Sequence, residues 1–304
     1  MVRRLLILAA LVVLAGIACF WFLTIPQRVA ADTLPSHKPD LDNGRRMFVA
    51  GGCASCHAPS KEERTKLGGG VALHSPFGTF YAPNISPHPG DGIGRWNEAD
   101  FVTAMTKGTS PDGRHYYPAF PYTSYQRIAS GDLRDLFAYL QTLPPVAGKA
   151  RDHDLAFPFT VRRGLGLWKL LYLDGHPFVP DPSQSPQWNR GAYLVNGPSH
   201  CAECHSPRDM LGGLKQDRRF AGGPNPEGEG WVPNITQKGL GKWSAKDLDY
   251  LLETGDLPEG DSVGGSMRDV VRNTSQLSPQ DRAAMAAYIK SLPPVEGPRP
   301  PPKK

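Results

Sequence analysis

The first hydrophobic feature of the chain is a continuous apolar run. Leu5–Thr24 contains no charged residue over 20 positions, and Arg3 and Arg4 precede it. A run of this length predicts a helix that crosses the bilayer core, with the arginines on the cytoplasmic side and the rest of the chain exported. Segment 1–31 is therefore expected to be a membrane anchor. Cleavage stays open as an alternative, because Val29–Ala31 resembles a signal-processing site.

Beyond residue 40, apolar residues recur at helical spacing rather than alternating. A short amphipathic helix is expected before each of two cysteine pairs, and a second helix near Trp96 or Trp243. A final helix should end before Pro144 or Pro293, where proline stops it. Long stretches rich in Gly and Pro connect these helices, and no convincing strand pattern is found. The pattern predicts a mostly α protein.

The same pattern occurs twice in the chain, and the second copy is offset by 148 residues, from Cys53 to Cys201. P-N-I-S and P-N-I-T turns, two G-x-G-x-W segments and two L-P-P-V endings keep their order in both copies. Such a match indicates duplication. We expect domains at 40–146 and 190–296, joined by a linker at 147–189 and followed by a disordered tail at 297–304. The linker should contain one helix near Gly164–Tyr172, and its aromatic residues should pack against the domains.

Composition narrows the function only slightly. The net charge is +5, and Lys and Arg are scattered over the 304 residues rather than gathered into one tract. Nucleic acid is therefore not an expected partner. Phosphate loops, paired carboxylates and Ser/His/Asp constellations are likewise not recognisable.

The candidate chemistry lies in CASCH at Cys53–His57 and CAECH at Cys201–His205. C-x-x-C alone could be a dithiol switch or half of a zinc site, and one zinc ion could take all four cysteines. The histidine directly after each second cysteine favours the third possibility, attachment of a c-type haem. Two thiols would add to the haem vinyl groups and the histidine would bind the iron. The residues that we expect to hold two covalent haem c groups are Cys53, Cys56 and His57, and Cys201, Cys204 and His205.

The second axial position of such an iron is commonly filled by methionine. Met267 follows a Gly-Gly-Ser turn in the second unit and is the expected ligand there. Met210 and Met285 are expected to be packing residues instead.

With these residues in view, the chain resembles the two-haem cytochrome c subunits of membrane-bound bacterial alcohol and sugar dehydrogenases. The resemblance runs from about Gly44 to Val295 and includes the segment YPAFPYTSY at 117–125. It implies two tandem class I cytochrome c-like domains after an N-terminal membrane helix. It also implies that Met267 is the distal ligand of the second haem.

In the first unit the chain departs from the family. Many relatives have methionine where this chain has Phe120, which cannot bind iron. Among the remaining donors, we rank His115 first as sixth ligand, an empty or water-filled position second and Met105 third. His115 could instead hydrogen-bond a haem propionate.

The resemblance implies an electron-transfer protein rather than an enzyme, anchored in the bacterial inner membrane with its main body in the periplasm. It would receive electrons from a membrane-bound dehydrogenase and pass them to a respiratory acceptor such as a quinone, an oxidase or another cytochrome. Two alternatives stay open: a haem enzyme that acts at the first haem on a small oxidant or sulfur compound, and a free-standing carrier.

Overall fold

The computed structural model describes residues 1–228 and 230–300, and helices dominate this part of the chain. The helices are α1 (Val2–Leu23), α2 (Leu41–Ala50), α3 (Cys53–His57), α4 (Glu98–Lys107), α5 (Tyr122–Tyr125), α6 (Ser130–Gln141), α7 (Leu165–Tyr172), α8 (Pro186–Asn196), α9 (Ala202–His205), α10 (Gln237–Leu240), α11 (Ala245–Thr254), α12 (Met267–Thr274) and α13 (Pro279–Ser291). The strands are β1 (Ala72–Ser75), β2 (Gly78–Tyr81), β3 (Asp154–Leu155), β4 (Gly223–Pro224) and β5 (Trp231–Val232).

The predicted helices are confirmed, and both copies use the same local signals. Helices α4 and α11 each begin with a capping box, formed by Asn97 in the first copy and Ser244 in the second. Each ends at a glycine with positive φ, Gly108 or Gly255, where a residue with a Cβ would be strained. The last helices, α6 and α13, end two to three positions before the predicted prolines.

The first and last helices of each copy cross at a glycine. A Cβ atom on Gly44 of α2 would lie 2.1 Å from the carbonyl oxygen of Asp135 in α6. The equivalent atom on Gly191 of α8 would lie 1.9 Å from the carbonyl oxygen of Ala284 in α13. Only glycine allows the backbones to approach this closely. In each domain, this close crossing holds the first and last helices together.

Short strands are present that the sequence pattern did not predict. Strands β1 and β2 form an antiparallel hairpin in register Ala72↔Tyr81, and β3 from the linker extends it. Strands β4 and β5 form a two-residue ladder in the second domain. Each is too short for its alternation to stand out in a sequence.

The linker packs against both domains, as expected. On the first domain, the ring of Trp168 contacts that of Tyr122 edge-on, with centroids 6.1 Å apart. Its helix α7 begins at Leu165, one residue from the predicted start. Trp168 donates a hydrogen bond from Nε1 to the carbonyl oxygen of Leu211 at 2.9 Å. The rings of Phe178 and Trp188 contact those of Tyr193 and Tyr288.

Helix α1 is long and apolar enough to cross a membrane, with a mean hydropathy of 2.8 and no burial in its apolar window. Its C-terminal end rests on the body of the protein, where Thr24 is fully buried. At the other terminus, residues 301–304 of the predicted tail lie outside the described part of the chain. Gly297 lies against Ala221, since a Cβ there would be 2.0 Å from the Ala221 carbonyl oxygen.

Candidate haem sites

Each cysteine motif folds as a short helical turn directly after a bend in the backbone. Gly52 precedes Cys53 with φ at +60°, which glycine adopts without strain. In the second copy His200 precedes Cys201, also with positive φ, at +39°. All four motif cysteines are half-buried free thiols. A single turn thus presents two thiols and the following histidine at each site.

The histidines of both motifs are oriented by the same hydrogen bond. Nδ1 of His57 donates to the carbonyl oxygen of Pro83 at 2.7 Å, and Nδ1 of His205 donates to that of Pro233 at 2.9 Å. With the proton on Nδ1, Nε2 keeps its lone pair for a metal. Burial lowers the pKa of both rings, and the proline carbonyls partly offset this. Burial therefore favours the neutral ring, which is the form that can bind iron.

These prolines belong to the repeated P-N-I motifs, which have a structural role. Asn84 donates from Nδ2 to the carbonyl oxygen of Val146 at 2.7 Å, and Asn234 donates to that of Val295 at 2.8 Å. Each asparagine also accepts the backbone N–H two residues later at 2.9 Å. The motif thus ties the histidine to the L-P-P-V segment that ends its domain.

The thiols do not have the character of a redox switch. Burial raises the pKa of Cys53 to about 12 and that of Cys56 to about 11. It raises the pKa of Cys201 and Cys204 to about 12. Catalytic dithiols have lowered pKa values instead. A shared zinc site is not formed either, because residues 1–228 and 230–300 contain no group of three or more His, Cys, Asp or Glu that could hold a metal. Two thiols and a free Nε2 in one turn fit haem c.

The described structure places Met267 at the first position of α12, half-buried against the hydrophobic core. It follows Gly265, which has positive φ, so the predicted turn is present although the methionine itself begins a helix. Met285 is 1% exposed inside α13, as expected for packing. The prediction for Met210 is wrong, because that residue is 95% exposed.

Aromatic rings fill the region beside the first motif. Phe120 is half-buried and its ring centroid lies 5.6 Å from that of Tyr125. Burial raises the pKa of Tyr125 well above its ordinary value, and the nearby Cys53 and Cys56 thiols add to this. Met105 is 6% exposed within α4, in the hydrophobic core.

The predicted ligand role of His115 is not supported by its surroundings. The ring is buried, and Nε2 contacts the carbonyl oxygen of Thr24 at 2.9 Å. Lys169 donates from Nζ to the other ring nitrogen, Nδ1, at 3.0 Å. Both nitrogens therefore have partners. His115 joins the end of α1 to α7, a tertiary contact that no local pattern could reveal.

Both motifs lie at the interface between the domains, which sequence reasoning missed. The Tyr125 and His200 rings lie 5.5 Å apart between the domains. Glu203, inside the second motif, accepts a hydrogen bond from Ser124 at 2.7 Å. Asn273 of α12 donates to Ser55, inside the first motif, at 2.8 Å. Residues of each motif thus contact the opposite domain.

Two helical domains, each presenting two thiols and an oriented histidine from one turn, define the class of c-type cytochromes. The family model described as cytochrome c matches residues 41–144 and 189–293. The chain belongs to the cytochrome c family, and its two domains are tandem cytochrome c domains.

Similar proteins include a dihaem cytochrome and cytochrome subunits of dehydrogenases. The chain is 50% identical over 290 residues to "Diheme cytochrome c-type" of Cereibacter sphaeroides, covering 94% of this chain and 97% of that protein. It is 36% identical to the fructose dehydrogenase cytochrome subunit of Gluconobacter japonicus, over 85% of this chain and 54% of the relative. It is 37% identical to the cytochrome c subunit of the quinone alcohol dehydrogenase of Gluconacetobacter polyoxogenes, over 87% of this chain and 59% of the relative. The chain thus spans little more than half of these two dehydrogenase subunits.

Proposed function

We propose that this chain is a membrane-anchored cytochrome that holds two covalent haem c groups. It takes electrons from a dehydrogenase on the periplasmic side and passes them to a respiratory acceptor. Cys53, Cys56 and His57 hold the first group, and the second is held by the equivalent residues of CAECH. Haem c supplies an iron that gains and loses one electron.

The observation that carries the proposal is the duplicated histidine geometry. In both copies a proline carbonyl fixes the Nδ1 proton, which leaves Nε2 for the iron and holds the ring against rotation. In the second copy Met267 lies at the start of α12 and would be the second protein residue to hold the iron. In the first copy no methionine is proposed, because Phe120 is aromatic and Met105 is packed inside α4.

The dehydrogenase partner is supported by the relatives. Cytochrome subunits of fructose and alcohol dehydrogenases match 85% and 87% of this chain. Contacts from each motif to the opposite domain support electron transfer between the two sites. The anchor is supported by the apolar helix α1, whose exposed surface is suited to lipid.

Haem content tests the proposal directly. Protein produced in a host that matures c-type cytochromes should gain the mass of two haem groups, retained after acid-acetone extraction. Replacing both Cys201 and Cys204 by alanine should remove one haem and leave the other attached. The matched control is Cys19→Ala in α1, which should keep both. A wild-type mass gain of one haem or none would contradict the proposal.

A further inference from the structure

Helix α7 of the linker has an inverted pattern of burial. Its buried positions are Gly166 and Lys169, whereas Leu167, Leu170 and Leu171 are exposed. These leucines are spaced i, i+3 and i+4, so they share one face of the helix. A soluble surface helix has the opposite arrangement, with leucine inside and lysine outside. The exposed face therefore needs an explanation other than core packing.

The leucine face continues into neighbouring segments of both domains. Phe159 in the linker contacts the ring of Phe77 from the β1–β2 turn, with centroids 5.0 Å apart. Phe77 in turn lies beside Gly212, where a Cβ would be 3.0 Å from its ring. The exposed apolar side chains of this surface, called here the linker face, are Phe157, Phe159, Val161, Leu167, Leu170, Leu171, Met210 and Leu211. An exposed apolar surface of this extent marks an interaction site.

The linker face adjoins the end of the apolar helix α1. A Cβ on Gly166 would lie 2.5 Å from the Cβ of Thr24, so α7 is in direct contact with the residue that follows α1. Arg163 donates hydrogen bonds to the Thr24 hydroxyl and the Trp21 carbonyl, at 2.8 and 2.7 Å. Its guanidinium also lies over the Trp21 ring. Because α1 ends here, any bilayer that α1 crosses has its surface at the level of α7.

The charges at this level suit a lipid surface. A cleft at the end of α1 is lined by Arg28 and Arg163. Asp112 also lines it but is paired with Arg114 at 2.7 Å. Guanidinium groups beside exposed leucines and aromatic rings are the features of protein surfaces that lie in the headgroup region.

We propose that the linker face lies on the bilayer that α1 crosses, with its leucines in the headgroup region. This inference rests on the proposed anchor and adds a second membrane contact. One helix alone would leave the body free to swing, whereas two contacts fix how both domains face the membrane. The buried contacts of Gly166 and Lys169 hold α7 in place for this role.

Nitroxide labelling of the full-length haem protein in lipid nanodiscs containing phosphatidylglycerol tests the inference. A label is placed by Leu170→Cys in a Cys19→Ala background. The four motif cysteines are bonded to haem in this protein, so the introduced thiol alone is free to react. The control label is Tyr250→Cys in α11, which is 53% exposed against 56% for Leu170. We expect the ratio of oxygen to nickel-chelate collision rates to be several-fold higher at position 170, because oxygen concentrates in lipid. Equal, water-like ratios at both positions would overturn the inference and leave the face for a protein partner.

A second labelled variant tests how the linker face is oriented on the bilayer. A label at Met210→Cys should show a higher ratio than the Tyr250→Cys control. That difference should be lost when Leu170→Glu and Leu171→Glu are introduced, with the haem spectrum unchanged. If the ratio at position 210 is unchanged by the two glutamate substitutions, the inference is also overturned. Release of the protein by a high-salt wash would instead count against the α1 anchor, so the two failures are distinguishable.

Discussion

Replacing Gly191 by alanine should destabilise the second domain selectively. The new methyl group would start 1.9 Å from the Ala284 carbonyl oxygen and 2.9 Å from the Tyr288 Cβ. Helices α8 and α13 would therefore have to separate by about 1.5 Å or more to reach ordinary contact. Overpacking of this kind costs about 1–3 kcal/mol. The higher helix propensity of alanine offsets about 1 kcal/mol of that cost.

The obstacle is a backbone carbonyl, which cannot rotate away as a side chain can. We therefore expect a net loss near 2 kcal/mol, taken from the upper part of the overpacking range. For a domain of about 100 residues this corresponds to a melting temperature lower by about 8–15 °C. Far-UV circular dichroism would follow overall unfolding. The near-infrared methionine-to-iron band would follow the second domain, because Met267 is its proposed ligand.

The matched control is Gly164→Ala. Gly164 has φ at −59°, and a Cβ added there would have no neighbouring atom within 4 Å, so alanine should be neutral or slightly stabilising. Gly44→Ala should lower the stability of the first domain instead, because that Cβ would lie 2.1 Å from the Asp135 carbonyl oxygen. If Gly191→Ala has the same melting temperature as the wild type, the close crossing does not require glycine and the prediction is refuted.

Three other predictions concern ligation, pH and location. The oxidised protein should show one methionine-to-iron band per two haems, lost in Met267→Leu and kept in Met105→Leu; two bands in the wild type would contradict this. Burial raises the pKa of Asp135, but hydrogen bonds from Asp40, Asn43 and His37 outweigh it and hold the pKa below its ordinary value. Asp135 should therefore stabilise the fold above a pH of about 4, which is the pKa of aspartate in the unfolded chain. This stabilisation should be lost as the pH falls through the lowered pKa of the folded state. The free energy of unfolding of Asp135→Asn, measured with urea, should depend less on pH in this window. Finally, the protein should stay with membranes through a high-salt wash and become soluble, with an unchanged haem spectrum, when residues 1–31 are replaced by a cleavable signal.

Much of the protein was predictable because its chemistry is local. Two thiols and a histidine within five residues point to haem attachment without any knowledge of the fold. Duplication supplied a second copy of the signals within each domain, so the domain helices and their ends could be compared between the copies. The helices α2, α4, α6 and α7 follow from periodicity, capping residues and proline stops.

The uses of His115 and Met210 were not predictable, because each depends on what lies across the fold. His115 stands in a turn close in sequence to Phe120, yet its partners are Thr24 and Lys169, 91 and 54 residues away. Met210 follows the second motif by five residues and is nevertheless exposed. Its neighbour Leu211 accepts a hydrogen bond from Trp168 of the linker helix. Sequence distance to a motif gives no information about these contacts.

The cofactor chemistry, the duplication and the mostly α class are encoded in short patterns of residue type, so the amino-acid sequence alone was enough to predict them. The folded chain was needed to show which proline carbonyls orient the histidines and that Tyr125 and His200 pack against each other between the domains. It was also needed to show that α7 buries its lysine and exposes its leucines. Burial and hydrogen bonding are set by neighbours in space, and the chain brings those neighbours from segments far apart in sequence.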